Sequence, residues 1–454
     1  MEANINIKDM VEKARIAQKE FEAYSQAEVD AIVKAMAKVV YDNAELLARE
    51  AVEETGMGVY EDKVAKNRGK SKNIWNRLKN KRSIGILAEE PEKGLITIAK
   101  PIGVVCAVTP TTNPIVTPMC NAMFALKGGN AIIIAPHPRA KKCSKHTVDL
   151  MNEKIRRLNA PKNLIQIIPE PSIELTNELM KACDVIIATG GMEMVKAAYS
   201  NGKPSFGVGA GNVQVIIDRD VDFMEAAAKV VAGRAFDNGI ICSGEQSIIA
   251  PADKYEEVIA AMKANGAYYI EDATTVDSFR KVMFPEGKLN GKIVGQSVQF
   301  IAKLAGVEVP EGIRVLLFKP AGIGKEDFLC KEKMCPAMIA LKYDTFEEAI
   351  RIAQTNLELE GKGHTAAIHS CDVDHIKYAG ENLTVSRLVV NASSSLTAGG
   401  ALTNSLNPTT TLGCGSWGNN SISENLDYKH LINVSRIAFT KTNAPVPTDE
   451  QIWA

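Results

Sequence analysis

The stretch GVVCAVTPTTNPIVTPMCNAMFALKGGNAIIIA, residues 103–135, decides the fold class. It begins with an apolar run at 103–108 and ends with another at 131–135, and residues 115–128 between them have helical periodicity. A strand, a helix and a second strand in this order predict a crossover unit, in which the two strands lie parallel in one sheet.

The same alternation continues along the chain and predicts an α/β protein with two α/β units, with a boundary close to Asp218–Asp222. The further strands of the first unit are predicted at 164–168, 185–188 and 213–217, with helices at 141–158, 172–182 and 191–200. The strands of the second unit are predicted at 247–250, 314–318, 337–341, 365–369 and 387–391. Strands that alternate with helices of about ten or more residues are typical of parallel sheets.

The segments outside the two units have other patterns. Apolar residues three or four apart predict amphipathic helices at 7–22 and 27–56. The basic stretch 63–82 is interpreted as a solvated helix face. A β-hairpin with a charged tip is predicted from two short β-type runs within residues 83–100, and the apolar run 434–439 predicts a strand near the C-terminus.

Composition excludes several classes of protein. The 454 residues carry 53 Lys and Arg against 54 Asp and Glu, a net charge of −1, which argues against nucleic-acid and anionic-membrane partners. The nine cysteines have no zinc-site spacing and make no complete set of pairs, so we expect reduced thiols and no metal. No apolar stretch reaches the roughly 18–20 residues of a membrane span, and the first residues lack the pattern of a secretory signal. A cytoplasmic protein is expected.

Cys242 is the first candidate for chemistry, in the run FDNGIICSGEQS at 236–247. It lies where a helix or loop meets a predicted strand, and backbone N–H groups at such a junction can stabilise a thiolate and a developing oxyanion. The alternative is a buried structural cysteine.

Two turns that follow predicted strands are candidate ligand sites, because open α/β sheets bind ligands at the carboxyl ends of their strands. In the turn Thr109–Pro114 the amide of Asn113 can donate to an oxyanion, or Asn113 can simply form the turn. In the turn ATGG at 188–191, glycine allows a pyrophosphate to approach a helix N-terminus, although the six-residue glycine pattern of the dinucleotide fingerprint is missing.

Three further runs carry residues suited to binding. Arg139, Lys141 and Lys142 stand at the start of a predicted helix, where cations do not suit the helix dipole. A phosphorylated ligand would compensate for this mismatch, and plain solvation is the alternative. His364 lies in the glycine-flanked run GKGHT, and the run GCGSWG at 413–418 is a glycine-rich loop.

Taken together, these motifs resemble the aldehyde dehydrogenase superfamily, and in particular its coenzyme A-acylating branch. The resemblance covers essentially the whole chain, and NGIICSGEQ, PHPRAKK and GCGSWG carry the likeness to that branch. The runs at 53–66, 330–336 and 419–425 resemble members that interconvert succinyl-CoA and succinic semialdehyde. An acylating dehydrogenase of acetaldehyde or another short-chain aldehyde that uses NAD(H) is the alternative.

The resemblance implies an aldehyde dehydrogenase-like fold of two α/β domains with an oligomerisation β-arm. A cofactor-binding domain would span 1–218 with the hairpin arm 83–100, a catalytic domain with Cys242 would span 219–410, and 411–454 would return to the cofactor domain as an oligomerisation tail. A homodimer or homotetramer is implied, acting on a small aldehyde and an acyl-CoA, with no nucleic-acid or membrane partner.

The resemblance also implies a role for each matching residue. Cys242 would be the nucleophile, Asn113 the oxyanion donor and His364 an acid or base. The cofactor-binding positions would be Thr109, Pro110, Arg139, Gly190, Gly191 and Glu332, with Glu332 at the nicotinamide ribose. NADP is the expected cofactor and NAD a possible one, since Pro138 stands where NAD-selective members carry a glutamate that contacts the adenine ribose. Coenzyme A would be the co-substrate.

One departure from the hydrolytic members agrees with acyl transfer. They carry a general-base glutamate where this chain has Gly207, and without that carboxylate no side chain at this position can activate water against a thioester. The ligand of a substrate carboxylate is left open among Arg387, Ser243 and Thr112. A non-enzymatic scaffold on the same fold is also conceivable, but the presence of Cys242 and Asn113 argues against it.

Overall fold

Helices and strands alternate through most of the chain, whose residues 5–442 and 444–454 are described by a computed structural model. The helices are α1 (Ile7–Phe21), α2 (Gln26–Asp42), α3 (Ala44–Thr55), α4 (Tyr60–Leu78), α5 (Val116–Lys127), α6 (Lys141–Arg156), α7 (Ile173–Ala182), α8 (Met192–Tyr199), α9 (Phe223–Ala235), α10 (Tyr255–Ala264), α11 (Ala273–Met283), α12 (Val298–Ala305), α13 (Phe346–Leu359), α14 (Val373–Asn382), α15 (Ser394–Thr397) and α16 (Asp449–Trp453). The strands are β1 (Gly85–Glu90), β2 (Leu95–Pro101), β3 (Val104–Thr109), β4 (Ala131–Pro136), β5 (Ile165–Ile167), β6 (Val185–Thr189), β7 (Ser205–Val208), β8 (Val213–Ile217), β9 (Glu245–Pro251), β10 (Ala267–Ile270), β11 (Val315–Phe318), β12 (Ala337–Tyr343), β13 (Ala366–His369), β14 (Leu388–Val390) and β15 (Ile432–Ala438).

The stretch 103–135 forms β3, α5 and β4, as predicted, in a parallel sheet of five strands with the order β5-β4-β3-β6-β7. The chain builds this sheet outward from β3, first to one side and then to the other. β3 and β6 are neighbours, with Val105 opposite Val185. In such doubly wound sheets, a ligand crevice opens beyond the carboxyl ends of the strands at the point where the order reverses. Here that point lies between β3 and β6.

The second sheet has seven parallel strands in the order β10-β11-β12-β9-β8-β13-β14. β8 lies inside it, with Val215 opposite Ile248 of β9 and Ala367 of β13. The prediction that placed this strand in the first unit was therefore wrong, and the chain changes sheet at residues 209–212, earlier than 218–222. Alternation of strand and helix shows that a strand exists, but the sheet that it joins is set by side-chain packing.

The helices before the first sheet differ from the prediction in two ways. The predicted helix 27–56 is two helices, α2 and α3, which meet at Asn43, where the side-chain amide donates to Val39 O at 2.8 Å. The interpretation of 63–82 as a solvated face was wrong, because α4 buries Lys63 and Lys66. Both lysines reach Asp237 in the other unit. A local charge pattern cannot predict a carboxylate partner that is so distant in sequence.

The predicted hairpin is confirmed and belongs to a third, antiparallel sheet in the order β1-β2-β15. β1 pairs with β2 from Gly85 opposite Ala99 to Glu90 opposite Leu95. The strand predicted at 434–439 lies at Ile432–Ala438 and pairs with β2 of the same chain.

Each large sheet has its own apolar core. Buried residues of β3, β4 and β6 pack against helices on both faces of the five-stranded sheet, and those of β8, β9 and β12 do the same in the seven-stranded sheet. Within residues 5–442 and 444–454, no helix combines the length and the apolar character needed to cross a membrane.

Asn130 joins the first sheet to the segment that precedes β15. Its Oδ1 accepts hydrogen bonds from the N–H groups of Ile102 and Gly103 at 2.7 and 3.0 Å. Its Nδ2 donates to Ala125 O and Leu431 O at 3.1 and 2.7 Å. One buried amide therefore satisfies four main-chain groups from three segments of the chain.

We expect Asn130→Ala to lower the free energy of unfolding by about 2–4 kcal/mol, because it removes four largely buried hydrogen bonds of roughly 0.5–1.5 kcal/mol each. Urea unfolding followed by circular dichroism measures the change. The control is Asn382→Ala, which removes an exposed hydrogen bond to Tyr378 O and should change stability by less than about 0.5 kcal/mol. Equal effects of the two substitutions would contradict this role for Asn130.

Candidate active site

Cys242 lies between a tight turn at 236–239 and β9. Asp237 and Asn238 in that turn have positive φ angles of 52° and 51°. The turn is held against α4 through Asp237, whose Oδ1 accepts from Val59 N at 2.8 Å and whose Oδ2 contacts Lys63 Nζ at 3.1 Å. Such left-handed residues are unfavourable unless the surroundings hold them. The ion pairs of Asp237 therefore hold the segment that leads to Cys242.

Glycine allows two loops to approach this segment closely. A Cβ at Gly211 would lie 1.8 Å from Cys242 O and 3.3 Å from His364 Cε1. A Cβ at Gly363, which has a φ of 83°, would lie 1.9 Å from Cys414 O. The loop after β7, the GKGHT loop and the GCGSWG loop, which are far apart in the sequence, therefore meet around Cys242.

His364 is fully buried in this cluster. Its Nδ1 lies 2.9 Å from Thr365 Oγ1, and its Nε2 has no hydrogen-bond partner among the described residues. Burial, followed by the nearby charge of Arg387, lowers the pKa of His364 to about 3. The imidazole is therefore neutral, with Nε2 available to a ligand.

Arg387 ties the loop of His364 to the glycine-rich loop at 413–418. Its guanidinium donates to His364 O at 2.9 Å, to Thr365 Oγ1 at 3.2 Å and to Gly413 O. Of the three candidate ligands for a substrate carboxylate, Arg387 thus has its donors turned towards these protein groups.

Glu332 borders the other side of the cluster. Its Oε1 accepts from Gly211 N at 3.2 Å, and its own N–H donates to Glu360 Oε2 at 2.7 Å. Burial, and then the charge of Glu360, raises the pKa of Glu332 to about 8. The carboxyl group can therefore donate or accept a hydrogen bond at neutral pH, which suits a ribose hydroxyl.

Cys242 differs from the other eight cysteines in its environment. Seven are buried and Cys371 is exposed, whereas Cys242 is half-buried among the glycine-rich loops. Burial, and then the charge of Glu332, raises the pKa of Cys242 to about 12, while Arg387 and Lys70 oppose the shift. The resting thiol is neutral.

The loop of Asn113 is connected to the nucleophile segment through Lys66. This lysine contacts Thr112 O at 3.4 Å and forms an ion pair with Asp237. Asn113 follows Thr112 directly and is half-buried. One ammonium group therefore joins the two loops that would supply an oxyanion donor and a nucleophile.

The predicted cofactor positions Thr109, Pro110, Gly190 and Gly191 lie at the reversal point of the five-stranded sheet. Thr109 ends β3 and Pro110 follows it, and the two glycines stand between β6 and α8. The Oγ1 of Thr109 is buried and has no hydrogen-bond partner among the residues that the structure describes. A Cβ added at Gly190 or Gly191 would have no atom of these residues within 4 Å. Open space at a helix N-terminus beside an unpartnered hydroxyl fits the phosphates and ribose of a dinucleotide.

The basic run at 139–142 is compensated from within the protein. The carboxylate of Glu54 accepts from Lys142 N and Cys143 N, both at 2.8 Å, and Lys141 forms an ion pair with Glu170. Glu54 and Glu170 therefore compensate this helix start in part, and a phosphorylated ligand remains a prediction for Arg139. Arg139 is exposed, and no salt bridge holds it within the described chain.

Gly207 lies in β7 under α8. A Cβ there would lie 2.7 Å from Val195 Cγ1 and 2.8 Å from Tyr199 Cε2, so these side chains occupy the space of any larger residue. A glutamate at this position could therefore enter only if the side chains of Val195 and Tyr199 moved.

Comparison with known proteins agrees with this site. Residues 2–273 match the model described as the aldehyde dehydrogenase family. This chain belongs to the aldehyde dehydrogenase family. It is 60% identical over 453 residues to the succinate-semialdehyde dehydrogenase (acetylating) of Clostridium kluyveri, with 100% of both chains covered. The predicted resemblance to the coenzyme A-acylating branch is confirmed.

Two solved structures show the same fold. An acetylating aldehyde dehydrogenase from Geobacillus thermoglucosidasius is 39% identical, with a TM-score of 0.94 over 97% of this chain and 98% of that one. A Rhodopseudomonas palustris propionaldehyde dehydrogenase with bound CoA and an acylated cysteine is 31% identical, with a TM-score of 0.85 over 96% of this chain and 97% of that one. The predicted α/β aldehyde dehydrogenase fold is confirmed.

Sequence reasoning missed several residues that shape the site of this aldehyde dehydrogenase. They are Lys63, Lys66 and Lys70 of α4, Gly211 and Asp237. The sequence did contain a signal for Asp237, which lies in the same run as Cys242, and for the three lysines, which follow one another at helical spacing. Nothing local in the sequence showed that the lysines and Asp237 meet.

Proposed function

We propose that this enzyme interconverts succinyl-CoA and succinic semialdehyde through a thioester on Cys242. The observation that carries the proposal is the convergence of the three glycine-rich loops on the one half-buried cysteine. The name of the Clostridium kluyveri relative supports the substrate assignment. The alternative, an acylating acetaldehyde dehydrogenase, differs in the substrate and not in this machinery.

In the oxidative direction, the Cys242 thiolate attacks the aldehyde carbon, whose oxygen becomes an alkoxide. The amide of Asn113 and the N–H of Cys242 donate to this oxygen, and the loss of one such donor typically slows catalysis by about 10²–10³. A nicotinamide cofactor held near Glu332 would supply the acceptor for the hydride that leaves the carbon. Lys66 supports this step because it joins the loop of Asn113 to Asp237.

His364 and Gly207 suit transfer of the acyl group to a thiol. Nε2 of His364, unpartnered among the described residues, relays the proton of the coenzyme A thiol as the thiol attacks the thioester. Because the pKa of His364 is low and that of Cys242 is high, the proton passes to the Cys242 sulfur, which leaves as a thiol. Val195 and Tyr199 fill the space at Gly207 where a base for water would stand. The thioester therefore persists until coenzyme A arrives.

The cofactor is a nicotinamide dinucleotide, and we propose NADP(H) in preference to NAD(H). Thr109, Pro110, Gly190 and Gly191 would line its phosphates and riboses, and Glu332 would bind a hydroxyl of the nicotinamide ribose. At the adenine ribose, Pro138 supplies no carboxylate to repel a 2′-phosphate, and the neighbouring Arg139 is exposed. An arginine near the ribose is the usual means of accommodating that phosphate.

We also propose a homodimer or homotetramer in the cytoplasm. The β1-β2-β15 sheet exposes the apolar side chains of Ile86, Val434 and Ile437, and Phe439 just beyond β15 is also exposed. A sheet of this size is marginal by itself, and clustered exposed apolar groups mark interaction surfaces. All nine cysteines are unpaired, which suits a reducing compartment.

We expect Cys242→Ala to abolish turnover in both directions while the fold is retained, because no other described cysteine is half-buried among these loops. The wild type should show a higher kcat/KM with succinyl-CoA than with acetyl-CoA. Circular dichroism and steady-state assays with both thioesters measure this. The control is Cys371→Ala, which removes the exposed cysteine and should keep full activity. Turnover by folded Cys242→Ala would refute the nucleophile, and a preference for acetyl-CoA would refute the substrate.

We expect Arg139→Ala to lower kcat/KM with NADPH by about tenfold or more, the worth of a charge-assisted hydrogen bond, and to leave that with NADH nearly unchanged. Steady-state assays with both cofactors measure the ratio. Arg157→Ala, at an exposed arginine just after α6, should leave the ratio as it is. A strong NADH preference in the wild type, or an unchanged ratio in Arg139→Ala, would contradict the proposed phosphate contact.

We expect light scattering to give the mass of a dimer or tetramer for the wild type. Ile437→Lys, which places a charge on the exposed face of β15, should shift the protein towards monomer. The control is Lys441→Glu, which changes a charge just beyond this strand. It tests whether any charge change in this region shifts the protein towards monomer. A stable and active wild-type monomer would exclude the proposed assembly.

A further inference from the structure

A polar cavity of about 300 Å³ lies beside the C-terminal part of α4 and is not used by the residues assigned above. One wall is formed by α4 and the residues after it, including Asn73, Asn76, Arg77 and Lys81, and the other by the loop 401–408. Two of the residues that line the cavity are cationic, and no lining residue in the described part of the chain is acidic. The cavity therefore favours an anionic occupant.

Lys70 lies one helical turn before this wall. Its ammonium group donates to Gly399 O at 2.8 Å and to Thr409 O at 2.9 Å, the two residues that close the base of the loop 401–408. An ammonium group has three N–H donors, so one is left for a ligand. Unlike Lys63 and Lys66, which pair with Asp237, Lys70 has no salt bridge within residues 5–442 and 444–454.

α4 leads from the nucleophile to the cavity. Lys66 contacts the nucleophile segment through Asp237, Lys70 follows one turn later, and Asn73 and Arg77 follow on the cavity wall. Lys70 and Cys242 are also near enough for the charge of one to shift the pKa of the other. Along α4, Lys70 therefore stands between the lysine that contacts the nucleophile segment and the residues of the cavity wall.

Several buried polar atoms here lack a partner. Within the described part of the chain, Asn73 Oδ1 on the cavity wall, Asn407 Oδ1 at the end of the loop and Thr410 Oγ1 just beyond it accept or donate no hydrogen bond. Buried polar atoms are normally paired, and an unpaired cluster indicates a missing ligand or water. Of these atoms, the hydroxyl of Thr410 can donate to a carboxylate, whereas the two amide oxygens are acceptors and need a donor such as water.

Burial destabilises the charged form of the Lys70 ammonium group. The pKa of Lys70 is lowered to about 8, first by burial, although the thiols of Cys120 and Cys242 oppose the shift. A bound carboxylate would restore the charge by supplying the missing counter-ion. Arg387 is less suited to this task, because its donors already hold His364 O and Gly413 O.

We propose that Lys70 binds the carboxylate at the far end of a four-carbon aldehyde or acyl thioester whose reacting carbon lies at Cys242. This assignment rests on the proposed function and adds the residue that selects for a dicarboxylic acyl chain. In this role Lys70 is a specificity determinant, and Arg77 and Lys81 at the cavity wall would attract the anion towards it.

The test compares succinic semialdehyde with butyraldehyde, which has a methyl group in place of the carboxylate. Lys70→Met should lower kcat/KM for succinic semialdehyde by about 10- to 100-fold, the worth of a hydrogen bond between charged groups. The loss should appear mainly in KM, because the carboxylate contact is present in both the ground and the transition state. Activity with butyraldehyde should fall clearly less than activity with succinic semialdehyde, because butyraldehyde has no carboxylate and reports only the effect of Lys70 on the Cys242 thiol and on the loop.

Two further variants complete the comparison. Lys70→Arg keeps the charge and should retain most of the preference for succinic semialdehyde. Lys72→Met removes an exposed lysine of the same helix and should change neither substrate. An equal loss with both aldehydes in Lys70→Met would mean that Lys70 only holds the loop 401–408, and no loss with either would mean that it has no role. Either result overturns the proposal.

A binding measurement separates this proposal from the substrate assignment. Succinate should slow the alkylation of Cys242 by iodoacetamide in the wild type, and Lys70→Met should weaken this protection at least tenfold, with butyrate as the uncharged-tail control. Protection that depends on Lys70, in an enzyme without activity on succinic semialdehyde, would support the anion site and refute the substrate. Protection that is equal in wild type and Lys70→Met would refute the anion site, whatever the substrate.

Discussion

The site depends on one buried group of charges, in which Asp237 meets Lys63 and Lys66 of α4. Burial works against the charged carboxylate, but the two ammonium groups hold the pKa of Asp237 below its ordinary value. Removal of one partner from such a buried group typically costs about 3–5 kcal/mol, because the remaining charge is left without compensation. The interaction joins the helices before the first sheet to the segment of Cys242, and through Lys66 it also reaches the loop of Asn113. The geometry between nucleophile and oxyanion donor therefore depends on an ion pair between the segment of Cys242 and α4.

Glycine provides the second constraint, since the loops around Cys242 approach one another more closely than side chains would allow. Gly211 and Gly363 each stand where a Cβ would collide with a carbonyl oxygen of a neighbouring loop. Gly207 differs, because the side chains of α8 fill its space. The glycines of one short run thus have two functions. Gly211 brings the backbone to the segment of Cys242, and Gly207 accommodates the side chains of Val195 and Tyr199 on α8.

Burial also sets the protonation of the resting site. It raises the pKa of Cys242 and Glu332 and lowers that of His364, so each group tends towards its neutral form. A neutral thiol beside a neutral imidazole is stable in a partly enclosed pocket, whereas a thiolate there needs compensation by cations or by donors to the oxyanion. The cations that oppose the shift of Cys242 are Arg387 and Lys70. The pKa of Cys242, and with it the fraction of reactive thiolate, therefore depends on which charged or polar groups bind in the pocket.

Local periodicity and motifs along the chain were sufficient to predict the α/β class, most strands of both large sheets, the hairpin, and Cys242, His364 and Asn113 as candidates. Three features became visible only in the folded chain: β8 belongs to the second sheet, Lys63 and Lys66 of α4 are buried, and Glu54 accepts hydrogen bonds at the start of α6. Each of these depends on a partner that is distant in sequence. Hydrophobic periodicity records which face of an element is buried, but it does not record what lies against that face. A lysine on a polar helix face gives the same sequence pattern whether its ammonium group is solvated by water or paired with a distant carboxylate.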